Sequence, residues 1–249
     1  MLRAVAKRLI PEPMHAGVGR LVRRTRYFGL QRICPVCGSR VRAFLPHGVV
    51  RRADAVCPVC QSRERHRLAW LYLQRRTPLP LEGLRMLHLA PEPELSRRFR
   101  AMRNITYVTA DIGRHAMVRS DIAALPFPSD SFDVIYCSHV LNMIPSDRPA
   151  IRELFRALRP HGWALLQVPI GPGETRELPG TSTPGERMAA FRDAGIFRSY
   201  GVDFVERLRG GGFSVQVERY QHELSLRDRT RYGLHDEDLF LCRKFPAVP

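Results

Sequence analysis

Four cysteines stand out by their spacing: Cys34-Pro35-Val36-Cys37 is followed nineteen residues later by Cys57-Pro58-Val59-Cys60. Two such pairs supply four thiolates for one tetrahedral zinc ion, each pair bending so that both of its sulfurs meet the metal. Disulfides fit poorly in a chain without a secretion signal, and thiol redox chemistry would need only one pair. A structural Zn2+ is therefore expected at Cys34, Cys37, Cys57 and Cys60. Between the pairs, Val41, Phe44, Leu45, Val49 and Val50 suggest the short hairpin of a zinc ribbon, turning at Pro46-His47-Gly48. A module this small buries too little apolar surface to fold alone, so metal binding would supply much of its folding free energy. Cys137 and Cys242 lie in apolar runs and read as small core residues.

The 249-residue chain is 44% hydrophobic and 26% charged, which excludes wholesale disorder and coiled coil and leaves room for a sizeable core. No apolar stretch approaches the roughly 18 residues of a membrane span, and the N-terminus lacks the apolar region of a secretory signal. A cytoplasmic location is expected. The formal charge of +16 invites a nucleic-acid partner, although Lys7 and Lys244 are the only lysines, and such an arginine skew can arise from codon usage. Arg3, Lys7, Arg8, Arg20, Arg23, Arg24, Arg26 and Arg32 make residues 1–32 a basic arm. Pro11 and Pro13 are expected to interrupt any long helix there. The arm could clamp RNA or lie on an acidic membrane surface; the expectation is instead that Leu21, Val22, Tyr27 and Phe28 pack it on the main domain.

Residues 33–61 form the ribbon, and 62–80 a connecting helix with Ser62 as a possible cap and Leu68, Leu71 and Tyr72 as its apolar stripe. From residue 81 to 249, short apolar runs (85–90, 105–110, 133–138, 163–169, 213–217, 239–242) alternate with helix-like segments (93–102, 147–158, 202–210). That order predicts an α/β domain with a mostly parallel sheet covered on both faces. Such sheets bind ligands at the carboxyl ends of their strands, where the loops at 90–94, 111–115 and 138–144 would converge.

The string Asp121-Ile122-Ala123-Ala124-Leu125-Pro126-Phe127-Pro128-Ser129-Asp130-Ser131-Phe132-Asp133-Val134-Ile135 resembles the class I S-adenosylmethionine-dependent methyltransferases. His139-Val140-Leu141 and Leu158-Arg159-Pro160-His161-Gly162-Trp163 add to the likeness, the latter similar to the family's LRPGG turn. With the cysteine pairs, the SRERHR helix start and the LHLAPEPELSRRFR stretch, the chain resembles the zinc-ribbon subfamily of these enzymes over nearly its full length. The resemblance implies a Rossmann-like, mostly parallel sheet of seven strands, preceded by a zinc ribbon and the basic arm, and S-adenosylmethionine as cofactor.

That cofactor needs acceptors for its ribose diol and adenine amino group. Asp111 lies 21 residues after Ala90, near the roughly 20-residue offset at which an acidic residue meets a ribose, and Ile112 follows it. Asp121 would, by resemblance, accept from the adenine amino group while the Ile122 backbone N–H donates to the ring; the alternative makes Asp121 a turn cap. Where most relatives have a glycine-rich loop, this chain has Ala90-Pro91-Glu92-Pro93-Glu94, in which nothing is expected to pivot as glycine does; Glu92 could bind the cofactor's amino group. Ser138 completes the cofactor set. His139 is the candidate catalytic base, and His88, inside the first strand, is expected to be buried and hydrogen-bonded.

Two departures bear on the acceptor. Asn142-Met143 replaces the EH pair of many relatives, and Phe191 to Arg198 lacks the histidine-rich string expected in the subfamily, so the acceptor pocket is expected to be more apolar. Residues 171–200 read as a mobile lid. The expected activity is methyl transfer to a small or medium organic acceptor. The rivals are an RNA methyltransferase gripping RNA with arm and ribbon, and a non-methylating protein that uses the fold as a scaffold.

Overall fold

The computed structural model describes residues 12–48, 51–113 and 115–246. Arg3, Lys7, Arg8, Pro11, Val49 and Val50 lie outside them. The chain divides into two compact units: one formed by the stretch to Arg76 with Gln221–Asp236, the other by Thr77–Tyr220 with the stretch from Glu237. The continuous domain expected from residue 81 onward is thus interrupted by a segment that clusters with the amino-terminal unit.

In the first unit, helix α1 (Glu12–Arg26) continues past Pro13. Proline is tolerated in a first turn, where its missing N–H costs no helical hydrogen bond, so Pro13 stands at the start of α1 and does not break it. Strand β1 (Arg32–Ile33) pairs with β2 (Arg40–Val41) across the first cysteine pair. Strand β3 (Leu45–His47) pairs with β4 (Arg52–Val56), matching Leu45 with Val56 and His47 with Arg52. The hairpin therefore turns beyond His47, and Pro46 and His47 are strand residues. Helix α2 (Glu64–Arg76) buries Leu68, Ala69, Trp70, Leu71, Tyr72 and Leu73, more than a single stripe.

The second unit is built on a seven-stranded sheet. Strand β5 (Leu84–Leu89) leads through α3 (Pro93–Phe99) to β6 (Ile105–Asp111), and β7 (Val118–Arg119) follows at that edge. The chain then crosses to the other side of β5 as β8 (Phe132–Ser138), and α4 (Asp147–Ala157) leads to β9 (Leu158–Gln167). Next come the short β10 (Arg176–Glu177), α5 (Pro184–Phe191), β11 (Arg198–Ser199), α6 (Phe204–Arg209) and β12 (Ser214–Glu218). Helices α7 (Tyr220–Glu223) and α8 (Leu226–Tyr232) precede the last strand, β13 (Leu239–Arg243). The sheet order is β12-β13-β9-β8-β5-β6-β7, with β13 antiparallel to both neighbours and the rest parallel.

The parallel strands read as apolar runs because helices cover both faces of the sheet. Leu87, Leu89, Ile135, Cys137, Leu166 and Phe240 meet Ile151 and Leu154 of α4 and Phe204 of α6 in one core. Cys242 is buried with them. Strand β7, only two residues long, carries no apolar run and was not anticipated.

Residues 171–200 carry secondary structure of their own. β10 and β11 pair antiparallel, and α5 starts with a reciprocal cap in which Thr183 and Glu186 bond each other's backbone N–H. Arg198, fully buried, donates to the carbonyls of Ile144 and Pro145 at 2.8 Å and to Leu141 at 2.5 Å. It thereby fastens the insertion to the loop after β8.

The Leu158-Arg159-Pro160-His161-Gly162-Trp163 turn interrupts the β8–β9 register between Phe132 and Val134. A Cβ at Gly162 would meet the Asp133 carbonyl at 3.0 Å, so glycine permits the close approach. His161 there takes φ 64, a left-handed conformation that costs a residue with a Cβ about 1–2 kcal/mol. His161→Gly should raise stability by about 0.5–1 kcal/mol, measured by urea denaturation; an unchanged midpoint would show that the turn carries no such strain.

Candidate functional site

In the second unit, β5 has its next strand in sequence on one side and β8 on the other, so the connections leave in opposite directions and a crevice opens at the carboxyl ends. Leu89, Ala90, Ala110, Asp111, Ile112, Ser120, Asp121, Ile122, Val140 and Ile144 line it, enclosing about 370 Å³ of empty space including the mouth. Five of the eight residues expected to bind cofactor, Ala90, Asp111, Ile112, Asp121 and Ile122, therefore meet at one place. Pro91, Glu92, Ser138 and the expected base His139 are not among the lining residues.

Each lining residue has a local cause. Ala90, after β5, takes φ 46 while its N–H donates to the Ala110 carbonyl at 2.9 Å. The pivot thought to need glycine is thus made by alanine, the smallest residue that carries a Cβ. Asp111 ends β6, and its carbonyl accepts from the Ser120 N–H at 2.8 Å, closing the 111–120 loop. The Asp121 carboxylate accepts from the Ala123 N–H at 2.9 Å, so Asp121 is both a turn cap and a wall of the crevice. Behind it, Arg156 donates to the carbonyls of Phe127 at 2.8 Å and Leu125 at 3.1 Å, and is itself held by Glu153. This fixes the Leu125-Pro126-Phe127-Pro128 segment of the string that carries the family resemblance.

Glu92 is engaged by a buried chain of side chains. His88 is fully buried in β5, with Nε2 2.8 Å from a Glu92 carboxyl oxygen and Nδ1 2.7 Å from the Tyr107 hydroxyl, which lies 2.9 Å from Ser96 Oγ. An ionised Glu92 can only accept, so with a neutral His88 the ring proton sits on Nε2, Tyr107 donates to Nδ1 and Ser96 to Tyr107. Burial pushes the Tyr107 phenol up to about 12, which keeps it protonated for this role. The chain holds the Glu92 carboxylate against His88. It links β5, α3 and β6, contacts that no local pattern displays.

Ser138 is buried and its hydroxyl donates to Gln167 Oε1 at 3.3 Å. His139 takes φ 56, its N–H donates to the Gln167 carbonyl at 2.7 Å, and its Nε2 lies 3.0 Å from Glu237. Glu237 sits at the far end of the sequence and was not foreseen. Asn142 is buried and accepts from the Phe197 N–H at 2.9 Å, while Met143 is exposed.

The first unit holds a separate cluster. The sulfurs of Cys34, Cys37, Cys57 and Cys60 all lie within 4.8 Å of one another, a donor set that fits a tetrahedral zinc ion. The two loops are built alike: Gly38 N–H donates to Cys34 O and Gln61 N–H to Cys57 O, at 2.8 and 2.9 Å, with Gly38 and Gln61 both left-handed at φ 72 and 70. Ser62 does not cap α2; its hydroxyl lies 3.2 Å from the sulfurs of both Cys34 and Cys60. Arg67, fully buried, spends all five guanidinium N–H groups on the carbonyls of Asp54, Ala55, Ser62, Tyr232 and Gly233. The guanidinium lies 4.0 Å over the Phe44 ring. Burial draws it below the usual arginine value, opposed by negative charge on Cys34 and Cys57.

Comparison with known proteins bears on the fold of the second unit. Residues 85–166 match a family described as a methyltransferase domain. An uncharacterised chloroplastic methyltransferase of Arabidopsis thaliana is 29% identical over 107 residues, which is 39% of this chain and 30% of the relative. The chain therefore spans under a third of that relative's length. Among solved structures, an S-adenosylmethionine-dependent methyltransferase of Mesorhizobium loti is similar at a TM-score of 0.50 and 18% identity, over 70% of this chain and 96% of that one. A chain from the complex of the Haloferax volcanii Trm112 methyltransferase activator with its candidate methyltransferase is similar at a TM-score of 0.53 and 15% identity, over 73% and 91%. The fold is the Rossmann-like class I methyltransferase fold, and residues 85–166 carry a methyltransferase domain. Among the described residues no helix is long and apolar enough to cross a membrane.

Two substitutions test the buried contacts. His88→Ala leaves Tyr107 and Glu92 without their bridge and opens a cavity, and should cost about 2–4 kcal/mol in chemical denaturation. Arg67→Met strands five carbonyls and should cost the first unit about 3 kcal/mol or more. A loss below about 1 kcal/mol in either case would mean that water replaces the side chain without penalty.

Proposed function

We propose that the chain transfers a methyl group from S-adenosylmethionine to a small or medium organic acceptor. The observation that carries this reading is the meeting of Asp111 and Asp121 in one crevice beside the left-handed Ala90. When bound there, the cofactor would supply a methyl carbon activated by its cationic sulfur. Asp111 would accept from the ribose diol and Asp121 from the adenine amino group, with Ile122 offering its N–H to the ring. Glu92, oriented by His88, would attract the cofactor's ammonium. The Val140 and Ile144 side chains would wall water off from the sulfonium.

Much of the rate of such a displacement comes from holding the acceptor in line with the methyl. His139 is the candidate base: Glu237 engages Nε2, which leaves Nδ1 to take the acceptor's proton as the new bond to carbon forms. The four cysteines would bind one zinc ion as a structural centre whose thiolate charge is offset by Arg67.

Calorimetry with S-adenosylhomocysteine tests the cofactor site. Wild-type protein should bind, Asp111→Ala should weaken binding at least about ten-fold, and Cys242→Ala should leave it unchanged. Absence of binding to zinc-replete protein would overturn the reading. Metal analysis should find one zinc per chain, lost together with cooperative unfolding of the first unit on chelation; a metal-free protein of unchanged stability would dismiss the zinc assignment.

A further inference from the structure

The charge of this protein is unevenly placed. The stretch to Arg76 with Gln221–Asp236 holds 20 of the 40 lysines and arginines but 6 of the 24 acidic residues, so 14 of the 16 excess positive charges lie in the smaller unit. Its helix α1 concentrates them. At about 100° per residue, Arg20, Arg23, Arg24 and Arg26 fall on one arc of the helix, and Leu21, Val22 and Thr25 on the other. Among the described residues Arg20, Arg23 and Arg24 have no acidic partner. In the sequence, Met14, Val18, Leu21 and Val22 follow the spacing of a single apolar stripe.

The apolar arc is not packed away. Leu21 is 63% exposed, Val22 57%, and beyond the helix Phe28 is 61% and Leu30 65% exposed. The expectation that Leu21, Val22 and Phe28 anchor the arm in a core is therefore corrected. Of the four residues named for that role, only Tyr27 is held: its ring lies near the Arg26 and Arg42 guanidinium groups, at 5.9 and 5.7 Å, and its carbonyl accepts from the Arg42 N–H at 3.0 Å. The helix end is thus tied to the ribbon, with the apolar residues on either side left in water.

We propose that α1 and the Phe28–Leu30 segment dock this protein on an anionic lipid bilayer surface. The arginines would meet lipid phosphates while Leu21, Val22, Phe28 and Leu30 enter the boundary between headgroups and acyl chains, as a helix with one cationic and one apolar face does. RNA would satisfy the arginines equally well but gives no reason for four large aliphatic or aromatic side chains exposed among them. The sequence ahead of the helix, outside the described residues, has the same mixture: Leu2, Val5, Leu9 and Ile10 with Arg3, Lys7 and Arg8. The inference stands apart from the cofactor reading, since it concerns the other unit.

Co-sedimentation of the full chain with vesicles decides it. The protein should sediment with phosphatidylcholine vesicles containing phosphatidylglycerol and remain in solution with phosphatidylcholine alone, and high salt should release it. Leu21→Glu with Val22→Glu, and separately Arg23→Glu with Arg24→Glu, should each weaken partitioning about ten-fold or more. All four side chains are exposed, so circular dichroism and binding of S-adenosylhomocysteine should match wild type. Failure to sediment with anionic vesicles at low salt would overturn the proposal. So would vesicle binding that survives the Leu21/Val22 change but is lost with the Arg23/Arg24 change, together with tight, salt-sensitive binding to a random-sequence RNA; that pattern would assign the arginines to a nucleic acid.

Discussion

Parallel pairing of β5 with a strand on each side is the constraint from which the second unit follows. A parallel strand cannot be reached by a tight turn, so each connection must travel back across a face of the sheet. Because β6 and β8 leave β5 in opposite directions, the chain ends at Ala90, Asp111 and Val140 separate and leave a gap. The acidic residues that close β6 and open the 121–130 loop both line it. The loop residues are held from behind: Arg156 grips the Leu125–Phe127 carbonyls, and the Ser96–Tyr107–His88–Glu92 chain fixes the first loop without glycine.

The first unit solves a different problem. Beside the apolar face of α2, its order rests on polar groups satisfied inside: four sulfurs within 4.8 Å of one another, a serine hydroxyl near two of them, and a guanidinium with each N–H bonded to a carbonyl. Such an arrangement is stable only when complete, because each missing partner leaves a buried group unpaired. Arg67 therefore couples the cysteine loops, the end of β4 and the turn at Tyr232–Gly233 into a single cooperative set.

Much of this was legible in the sequence, and the exceptions share a physical cause. Strands covered on both faces must be apolar throughout, so β5, β6, β8 and β9 announced themselves, and the matched spacing of the two cysteine pairs announced the cluster their sulfurs form. Asp111 was found from its distance along the chain to Ala90. By contrast, Arg67 sits in the run Arg63-Glu64-Arg65-His66-Arg67, which reads as a solvated helix face until the segment 221–236 folds against it. Glu237 lies 98 residues from His139, and nothing nearby marks the pair. The positive φ of Ala90 was hidden because alanine does not advertise it as glycine would. Leu21, Val22 and Phe28 were expected in a core because apolar residues usually are, a rule with no knowledge of whether a core lies within reach.

The placement of Tyr232 and Gly233 has a consequence for biogenesis. A polypeptide emerges from the ribosome amino end first, and domains commonly fold in that order. Here the cysteine-bearing module is translated before the sheet but lacks two of Arg67's five acceptors until strands β5 to β12 have been made. That module must wait, incomplete, while the intervening sheet is threaded out behind it.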